Sequence, residues 1–350
     1  MPARQLFPTW TLGSVEFPLW RGRFGAELPA HLRIDSTMNL PLLERLAPCK
    51  SVLLAGAGGG FDVCAGLPLA HWLRAQGKQV HLASLSFSEL KPVKKMLGHQ
   101  VHVVDADSPA EEEYFPEKYL SQWYRQQGLE QPVYCYKMQG CQQILEGYQK
   151  MAQELNLDAL ILVDGGTDIL MRGDEPGLGT PAEDMTSLAA ADQLDLPVKL
   201  VLNLGFGVDV FHEVCHHYVL EAVADLTTSG GFLGAFSLLP QMAEFQHLVD
   251  ALDYIHARMP GKESIVMSSV VAAGQGKFGD FHPFPGRTRD SVLFINPLMS
   301  MYWCFDLTAL AKRCLYLDYL KEKYSRWDIH RGLVNFMSTV TPREWKTLPI

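Results

Sequence analysis

The sequence predicts an α/β protein with a Rossmann-like, doubly wound and mostly parallel sheet that carries helices on both faces. Short apolar runs, of which 51–55 (SVLLA) and 159–163 (ALILV) are the clearest, have the composition of strands buried on both faces. Stretches with helical spacing separate these runs, and this alternation is typical of β-α-β units. Apolar residues make up 47% of the 350 residues and charged residues 20%, as in ordinary globular domains.

Strands and helices alternate along most of the chain, and each is bounded by glycine, proline or a polar turn. The polar, acidic region 105–131 predicts a loop or lid with one helix. The predicted strands are Lys50–Gly56, Gln79–Leu85, Gln100–Val104, Ala159–Val163, Pro197–Leu202, Ser264–Val271 and Ser291–Asn296. The predicted helices are Leu40–Leu46, Asp62–Gln76, Phe87–Leu97, Cys141–Leu155, Thr180–Gln193, Val214–Ser229, Leu239–Met259 and Met301–Tyr324.

No repeat and no linker rich in proline, glycine and serine divides the chain. We therefore predict a single Rossmann-like domain over residues 50–350. Residues 1–49 are rich in proline and aromatic side chains and show little periodicity. We expect them to form an N-terminal extension that packs on the core.

Charge and cysteine usage exclude several classes of function. A net charge of −9 argues against a nucleic acid partner, which favours a basic face. No cluster of Lys and Arg suits an anionic membrane, and no apolar run reaches the ~18–20 residues that span a bilayer. The 7 cysteines are scattered without a C-x-x-C pair, and the N-terminus lacks the apolar core of a signal peptide. We therefore expect a cytoplasmic protein with reduced thiols and no membrane partner.

A glycine-rich turn follows the first predicted strand, at the position where open parallel sheets bind ligands. Glycines let the backbone approach a ligand, and the following helix presents free N–H groups to an anion. The dinucleotide fingerprint needs a glycine where Phe61 stands, so the turn predicts an anion site rather than a standard dinucleotide site. The alternative is a tight turn without a ligand, in which Asp62 caps the helix. The predicted ligand-binding residues of the turn are Gly56, Gly58, Gly59, Gly60 and Asp62.

The densest polar segment follows the strand at 159–163 and reads DGGTD, then RGDE. Two carboxylates so placed can hold a hard cation or share acid and base roles. We therefore predict that Asp164 and Asp168 bind a divalent cation such as Mg²⁺ and take part in catalysis. The alternative is a turn-rich loop whose aspartates bond to their own backbone. Further predicted ligand-binding residues of this segment are Gly165, Gly166, Thr167, Arg172, which can grip a phosphate or carboxylate, and Glu175.

A third polar segment follows the strand at 197–202. We predict that Asp209 and His212 face the same crevice as Asp164, with Asp209 binding the ligand and His212 acting as a catalytic acid or base. A helix cap with surface histidines is the alternative. The stretch from His212 to His216 also matches the H-E-x-x-H pattern of zinc hydrolases, which places two imidazoles on one helical face. A third zinc ligand is missing from that pattern, and a parallel α/β sheet is the wrong context for it.

Basic side chains stand in two later loops that are rich in glycine and proline. Lys277, Arg287 and Arg289 are the groups that an anionic ligand would use there besides Arg172. The alternative is an ordinary surface loop.

Several of these segments together resemble one known family, the domain of unknown function 1152. The resemblance rests on GAGGGFDV at 56–63, AGLP at 65–68, DGGTDILMRGDE at 164–175, GFGVD at 205–209 and GGFLGA at 230–235. It covers most of the chain from Lys50 onward. The family implies no activity, cofactor or substrate, but it implies that the glycine-rich turn and the DGGTD segment occur together in one kind of protein.

The sequence thus predicts an enzyme that acts on a small anionic or nucleotide-like metabolite. The glycine-rich turn binds the anion, and the carboxylates bind a cation or move protons. A non-catalytic sensor or interaction protein that binds a metabolite in the same pocket is the alternative, and zinc-dependent hydrolysis through His212 and His216 is a further one. The sequence leaves open whether the protein forms a homo-oligomer.

Overall fold

The computed structural model describes residues 40–110, 113–289 and 291–348. They lie in one compact unit that spans residues 39–350. The predicted extension over 1–49 lies outside the described residues except for 40–49, so it stays a prediction. Residues 40–49 contain the short helix predicted there, α1 (Pro41–Leu46), whose Leu42 and Leu46 are buried in the core.

A nine-stranded sheet forms the centre of the described residues, in the order β3-β4-β5-β2-β1-β6-β7-β11-β8. Neighbouring strands from β5 to β7 are parallel, whereas β3, β4 and β11 are antiparallel to their neighbours. The strands β9 and β10 pair separately as a short antiparallel ribbon. The strands are β1 Ser51–Gly56, β2 Gln79–Leu85, β3 Met96–Leu97, β4 Val101–Val104, β5 Val133–Tyr136, β6 Ala159–Asp164, β7 Val198–Asn203, β8 Phe232–Ser237, β9 Gly279–Asp280, β10 Phe294–Ile295 and β11 Met301–Asp306.

Helices cover both faces of this sheet, which confirms the predicted fold class. Leu53 and Ala55 of β1 pack into one core with α5, α6 and α7, while Val52 and Leu54 pack on the other side with α3, α4 and α8. None of the helices in the described part of the chain has the length and hydrophobicity needed to cross a lipid bilayer. The helices after α1 are α2 Asp62–Ala65, α3 Leu67–Ala75, α4 Pro116–Gln126, α5 Cys141–Glu154, α6 Pro181–Gln193, α7 His216–Thr228, α8 Ala243–His256, α9 Ile265–Gly274, α10 Pro285–Thr288, α11 Leu307–Arg313, α12 Asp318–Lys321 and α13 Arg326–Met337, with 3₁₀ turns at Asp168–Leu170, Val208–His212 and Pro297–Ser300.

Two predicted elements have the wrong type for a local reason. The helix predicted at 87–97 is absent, because Pro92 in its middle cannot donate a helical hydrogen bond. The strand predicted at 264–271 is instead α9. Ser264 caps this helix by accepting a hydrogen bond from Met267 N at 3.1 Å, and a cap of this kind favours a helix start over a strand.

Other corrections concern strands that depend on distant partners. Residues 301–306 begin a predicted helix but form β11, which pairs with β7 on one side and β8 on the other. Neither β5 nor β8 was predicted, and the strand predicted at 291–296 is reduced to β10. Whether these segments form strands depends on pairing with distant strands, which the local sequence pattern does not show.

The strand order reverses at β1. This strand pairs in parallel with β2 on one side and with β6 on the other, although β6 comes far later in the chain. The crevice beyond the carboxyl ends of β1 and β6 is therefore the position where open α/β sheets bind ligands.

Candidate functional site

Five aspartates from four segments of the chain meet at this crevice. Side-chain oxygens of Asp62, Asp164 and Asp184 lie within 4.8 Å of one another. Asp62 is half-buried, and the other four are at most 7% exposed. We call the five residues the aspartate cluster: Asp62 at the start of α2, Asp164 at the end of β6, Asp168 and Asp209 in 3₁₀ turns, and Asp184 in the first turn of α6.

Threonine side chains and amides bond part of the cluster. Asp209 Oδ2 accepts hydrogen bonds from Thr167 N at 2.6 Å and from Thr167 Oγ1 at 3.3 Å. Asp168 Oδ2 accepts from Thr180 N at 2.7 Å. The Thr180 hydroxyl lies 2.8 Å from Asp168 Oδ2 and 2.9 Å from Asp184 Oδ2. Since this hydroxyl has one proton, it satisfies only one of the two carboxylates at a time.

Other oxygens at this edge of the sheet are buried without a hydrogen-bond donor among the described residues. They are Asp164 Oδ2, Asp184 Oδ1 and Asn203 Oδ1. Asn203 ends β7, lies opposite Asp164 in the sheet register, and donates its Nδ2 to Gly166 O at 3.1 Å. An unpaired buried polar atom costs about 1–3 kcal/mol, and oxygens of this kind are the ligands that hard cations take.

Burial and mutual repulsion make four of the five aspartates hard to ionise. Burial raises the pKa of Asp164 and Asp184 well above the usual range, and the neighbouring aspartates raise it further. The pKa of Asp209 rises in the same direction, mainly through burial and the charge of Asp168. Burial also raises the pKa of Asp62 to about 7, although backbone amides that bond its carboxylate oppose this. The cluster therefore needs protons or a cation to balance its charge at neutral pH.

The glycine-rich turn lies directly against these carboxylates. Gly58 N donates to Asp62 Oδ2 at 2.7 Å. A β-carbon on Gly58 would lie 2.5 Å from Asp184 Oδ1 and 2.8 Å from Asp62 Oδ2, and one on Gly165 would lie 2.8 Å from Asp62 Oδ1. Glycine is required at both positions because the carboxylates occupy the space of a side chain. The Gly58 amide, which we expected to bind an external anion, thus bonds the protein's own Asp62.

The remaining glycines of the predicted site shape the same turn and its neighbour. A β-carbon on Gly166 would lie 2.8 Å from Asp209 Oδ2, and one on Gly56 would lie 2.8 Å from the backbone of α2. Gly59 and Gly60 have φ values of +97° and +63°, which residues with a side chain rarely adopt.

Arg172 and Glu175 belong to a different group of charges. Arg172 Nε donates to Asp174 Oδ1 at 2.8 Å. Glu175, which is 1% exposed, accepts from the amides of Arg172 at 3.0 Å and Gly173 at 2.7 Å, and from Arg343 Nη2 at 3.3 Å. The structure therefore places these two predicted ligand-binding residues in an ion-pair network rather than in the aspartate cluster.

The segment from His212 to His216 is not one helix. His212 ends a 3₁₀ turn, Glu213 has a left-handed φ of 63°, and α7 begins only at His216. The zinc-hydrolase interpretation is therefore wrong, because its motif needs both imidazoles on one helical face. The His212 side chain is exposed and contacts no aspartate of the cluster among the described residues, whereas Asp209, on the same 3₁₀ turn, is part of it.

The basic side chains of the later loops are exposed. Lys277 Nζ lies 5.4 Å from the centroid of the Phe281 ring. Arg287 donates to Glu263 O, and its charge partly opposes the rise that burial causes in the pKa of Tyr114. Because the Tyr114 hydroxyl lies against Gly60, Arg287 is near the glycine-rich turn.

Sequence reasoning missed Asp184 and Asn203. Asn203 ends the apolar run of β7 as Asp164 ends that of β6, so the rule that identified Asp164 could have found it. Asp184 has no such signal, because a helix with an acid in its first turn is common and only the packing of α6 brings it to β6.

Comparison with known proteins places the chain in a family. A solved structure, the glycosyltransferase SsfS6 of Streptomyces sp. SF2575, is 12% identical and aligns over 59% of this chain and 46% of that one, with a TM-score of 0.22. A likeness at this level says nothing further about the chain, which spans less than half of that glycosyltransferase. No curated protein matches the sequence. The family described as "Protein of unknown function (DUF1152)" matches residues 53–341, which confirms the resemblance found in the sequence, and the chain belongs to that family.

Proposed function

We propose that this protein is a divalent-cation-dependent enzyme that acts on a small anionic or nucleotide-like metabolite. Asp62, Asp164 and Asp184 are its cation ligands. The observation that carries the proposal is the meeting of these three side chains within 4.8 Å, with buried oxygens on two of them that lack a hydrogen-bond donor. A ligand set made of oxygen alone suits Mg²⁺ or Mn²⁺.

An anionic substrate follows from the charge around the site. The charges that act most strongly on Asp164 are all negative, those of Asp184, Asp168, Asp62 and Asp209. An anion would be repelled from this crevice unless a cation lay between it and the carboxylates. A substrate phosphate or carboxylate supplies the further oxygen ligands that Mg²⁺ takes in such sites.

The two aspartates of the cluster that are not proposed as cation ligands, Asp168 and Asp209, have a separate role in this proposal. Asp168 and Asp209 each have one oxygen bonded to a threonine, so their orientation is set. A carboxylate held beside a cation can accept the proton of an attacking water or hydroxyl. A bound cation polarises a phosphoryl or carbonyl oxygen and acidifies water, which makes hydrolysis or group transfer the expected reaction class. His212 is left out, since its exposed side chain does not contact the cluster.

Calorimetric titration with Mg²⁺ and Mn²⁺, together with thermal unfolding, tests the proposal on the full chain. The wild type should bind a cation and unfold at a higher temperature when it is present. Asp164→Asn and Asp184→Asn should lose both effects. Asp250→Asn removes an exposed carboxylate on α8 and should keep them. Failure of Mg²⁺ and Mn²⁺ to bind the wild type would refute the cation site.

Turnover decides between an enzyme and a sensor. A panel of phosphate and carboxylate esters, assayed with Mn²⁺, should reveal hydrolysis or transfer that Asp168→Asn abolishes while cation binding persists. Ligand binding without turnover on any compound would favour the metabolite-binding sensor. We also propose a cytoplasmic location, supported by seven free cysteines of which six are buried.

A further inference from the structure

Phe87 is exposed at the carboxyl end of β2, between two buried serines. Its side chain is 54% exposed, while Ser86 is 4% and Ser88 is 3% exposed. Hydrophobicity alone would bury the phenylalanine and expose the serines. The chain does the opposite here and holds an aromatic ring in solvent.

The segment that carries Phe87 is fixed on both sides. Ser86 N donates to Tyr136 O at 2.8 Å, and Ser88 N donates to Ser86 Oγ at 3.2 Å. Ser88 Oγ donates to the buried Glu117 at 3.3 Å. These bonds hold the backbone in place, so the ring is presented in a defined position rather than on a loose loop.

The ring lies on the glycine-rich turn, beside the aspartate cluster. A β-carbon on Gly59 would lie 2.8 Å from Phe87 Cζ, and one on Gly60 would lie 3.4 Å from Cδ2 of the ring. The preceding residue, Gly58, contacts Asp62 and Asp184 in the same way. Since consecutive Cα atoms are about 3.8 Å apart, the ring and the carboxylates are separated by at most about 12 Å. A mononucleotide covers such a span from its phosphate to its base.

We propose that Phe87 is a stacking platform for the base of a nucleotide whose phosphate is held by the cation at Asp62, Asp164 and Asp184. This inference rests on the proposed function and narrows its substrate class to nucleotides. The ring contacts Gly59 and Gly60 through its Cζ, Cε2 and Cδ2 atoms, and its exposed part is free to stack with a planar base. Because Gly59 and Gly60 have no side chain, the ring packs directly against the turn, and the stacking surface therefore lies close to the cation ligands.

The test compares two ligands that differ by the base. Adenosine monophosphate and ribose 5-phosphate are titrated by calorimetry into Mn²⁺-loaded wild type, Phe87→Ala, Phe87→Trp and the control Phe278→Ala, which removes a ring that is 70% exposed elsewhere. We expect the wild type to bind the nucleotide at least about tenfold more tightly than the sugar phosphate. Phe87→Ala should abolish this preference and leave the affinity for ribose 5-phosphate unchanged. Phe87→Trp and Phe278→Ala should keep the preference.

The outcomes separate this inference from the proposed function. Equal binding of the two ligands by the wild type, or binding of neither while Mn²⁺ binds, overturns the role of Phe87 and leaves the cation site standing. An equal loss of affinity for both ligands in Phe87→Ala also overturns it, because the ring would then only support the turn. Absence of Mn²⁺ binding to the wild type refutes the proposed function itself.

Discussion

Two groups of carboxylates follow β6 within a few residues of each other, and their charges are balanced in opposite ways. Asp164 is surrounded by aspartates, and burial with their repulsion raises its pKa. Asp174 pairs with Arg172, with 2.6 Å between Nη2 and Oδ2, and this bond lowers the pKa of Asp174. The same residue type, in the same stretch of chain, is thus left without a counter-charge in one group and given one in the other. Balanced charges indicate structure, and unbalanced buried charges indicate a ligand.

The balanced group ties the C-terminal segment to the loop after β6. Arg343 N donates to Asp174 O at 2.7 Å, and Arg343 Nη1 donates to Glu221 at 2.6 Å. The guanidinium also lies 4.0 Å from the centroid of the Tyr218 ring. We call Arg172, Asp174, Glu175, Glu221, Asp225, Arg313 and Arg343 the arginine network. It fixes the loop after β6, which begins next to Asp164 and contains Asp168.

The largest effect is expected from Glu175→Ala in the arginine network. The substitution leaves the guanidinium of Arg343 and the amides of Arg172 and Gly173 without their buried acceptor. Breaking a buried ion pair from one side costs about 3–5 kcal/mol. Urea unfolding should show this loss, while calorimetry should still detect a cation at the aspartate cluster.

The control for this substitution is Asp225→Ala. Asp225 is 49% exposed and pairs with Arg313 Nε at 3.0 Å, so its removal should cost less than about 1 kcal/mol. Equal losses for Glu175→Ala and Asp225→Ala would contradict the distinction between a buried and a rim position in the network.

The second substitution should stabilise the cation-free protein rather than destabilise it. Asp164→Asn replaces a buried carboxyl that must either take up a proton or remain an unpaired charge, and the new amide can donate to the neighbouring carboxylates. We expect the free energy of unfolding in EDTA to rise by about 1–3 kcal/mol. The same substitution should abolish stabilisation by Mg²⁺. Urea unfolding with and without Mg²⁺ measures both, and destabilisation in EDTA would show that Asp164 is already satisfied in the cation-free protein.

The pH dependence of stability should separate the two groups. The pKa of Asp62 is about 7 in the folded protein and about 4 in the unfolded chain, so the folded state binds more protons between these values. Its contribution is complete below pH 4 and is lost as the pH rises through 7, with a slope of at most about 1.4 kcal/mol per pH unit for one proton. The raised pKa values of Asp164, Asp184 and Asp209 extend the fall to higher pH.

Asp174 changes the stability with pH in the opposite direction to Asp62. Because its folded pKa is lowered, its stabilisation is present above pH 4 and is lost as the pH falls through the folded value. Urea midpoints from pH 4 to 8 in EDTA should therefore decrease, and Mg²⁺ should flatten or reverse that trend by competing with protons. A midpoint that rises with pH in EDTA would mean that the aspartate cluster is ionised without cost.

The sequence predicts the position of the site better than it predicts which residues form it. The strands β1 and β6 are almost entirely apolar and β7 contains the apolar run 200–202, and the residues just after such strands lie at one edge of any parallel sheet. Asp164 and Asp209 follow from that rule. The cation ligand Asp184 does not, because it lies on α6 and reaches Asp164 only through the packing of that helix.

The sequence also does not show which acidic side chains are paired with a basic residue. Glu175 and Asp168 look alike in the DGGTD and RGDE segment. The partner of Glu175 is Arg343, 168 positions away, and a contact of that separation has no local signature. For this reason the sequence pattern assigns Arg172 and Glu175 to the ligand site, whereas the structure places both in the arginine network.

The smallest effect on stability tests how closely the glycine-rich turn is fitted to the carboxylates. A β-carbon on Gly58 would lie 2.5 Å from Asp184 Oδ1, so Gly58→Ala must push that oxygen away. Overpacking of this kind costs about 1 kcal/mol when a side chain can shift. The cation, however, requires Asp62 and Asp184 in one geometry, and a displaced ligand lowers metal affinity by about 10–100-fold. Gly286→Ala, where a β-carbon meets nothing within 4 Å, should change neither quantity. Calorimetric Mn²⁺ titration and urea unfolding of both variants distinguish the cases. If Gly58→Ala lowers stability without changing Mn²⁺ affinity, the glycine merely makes room for a turn, and the aspartates it contacts are not ligands.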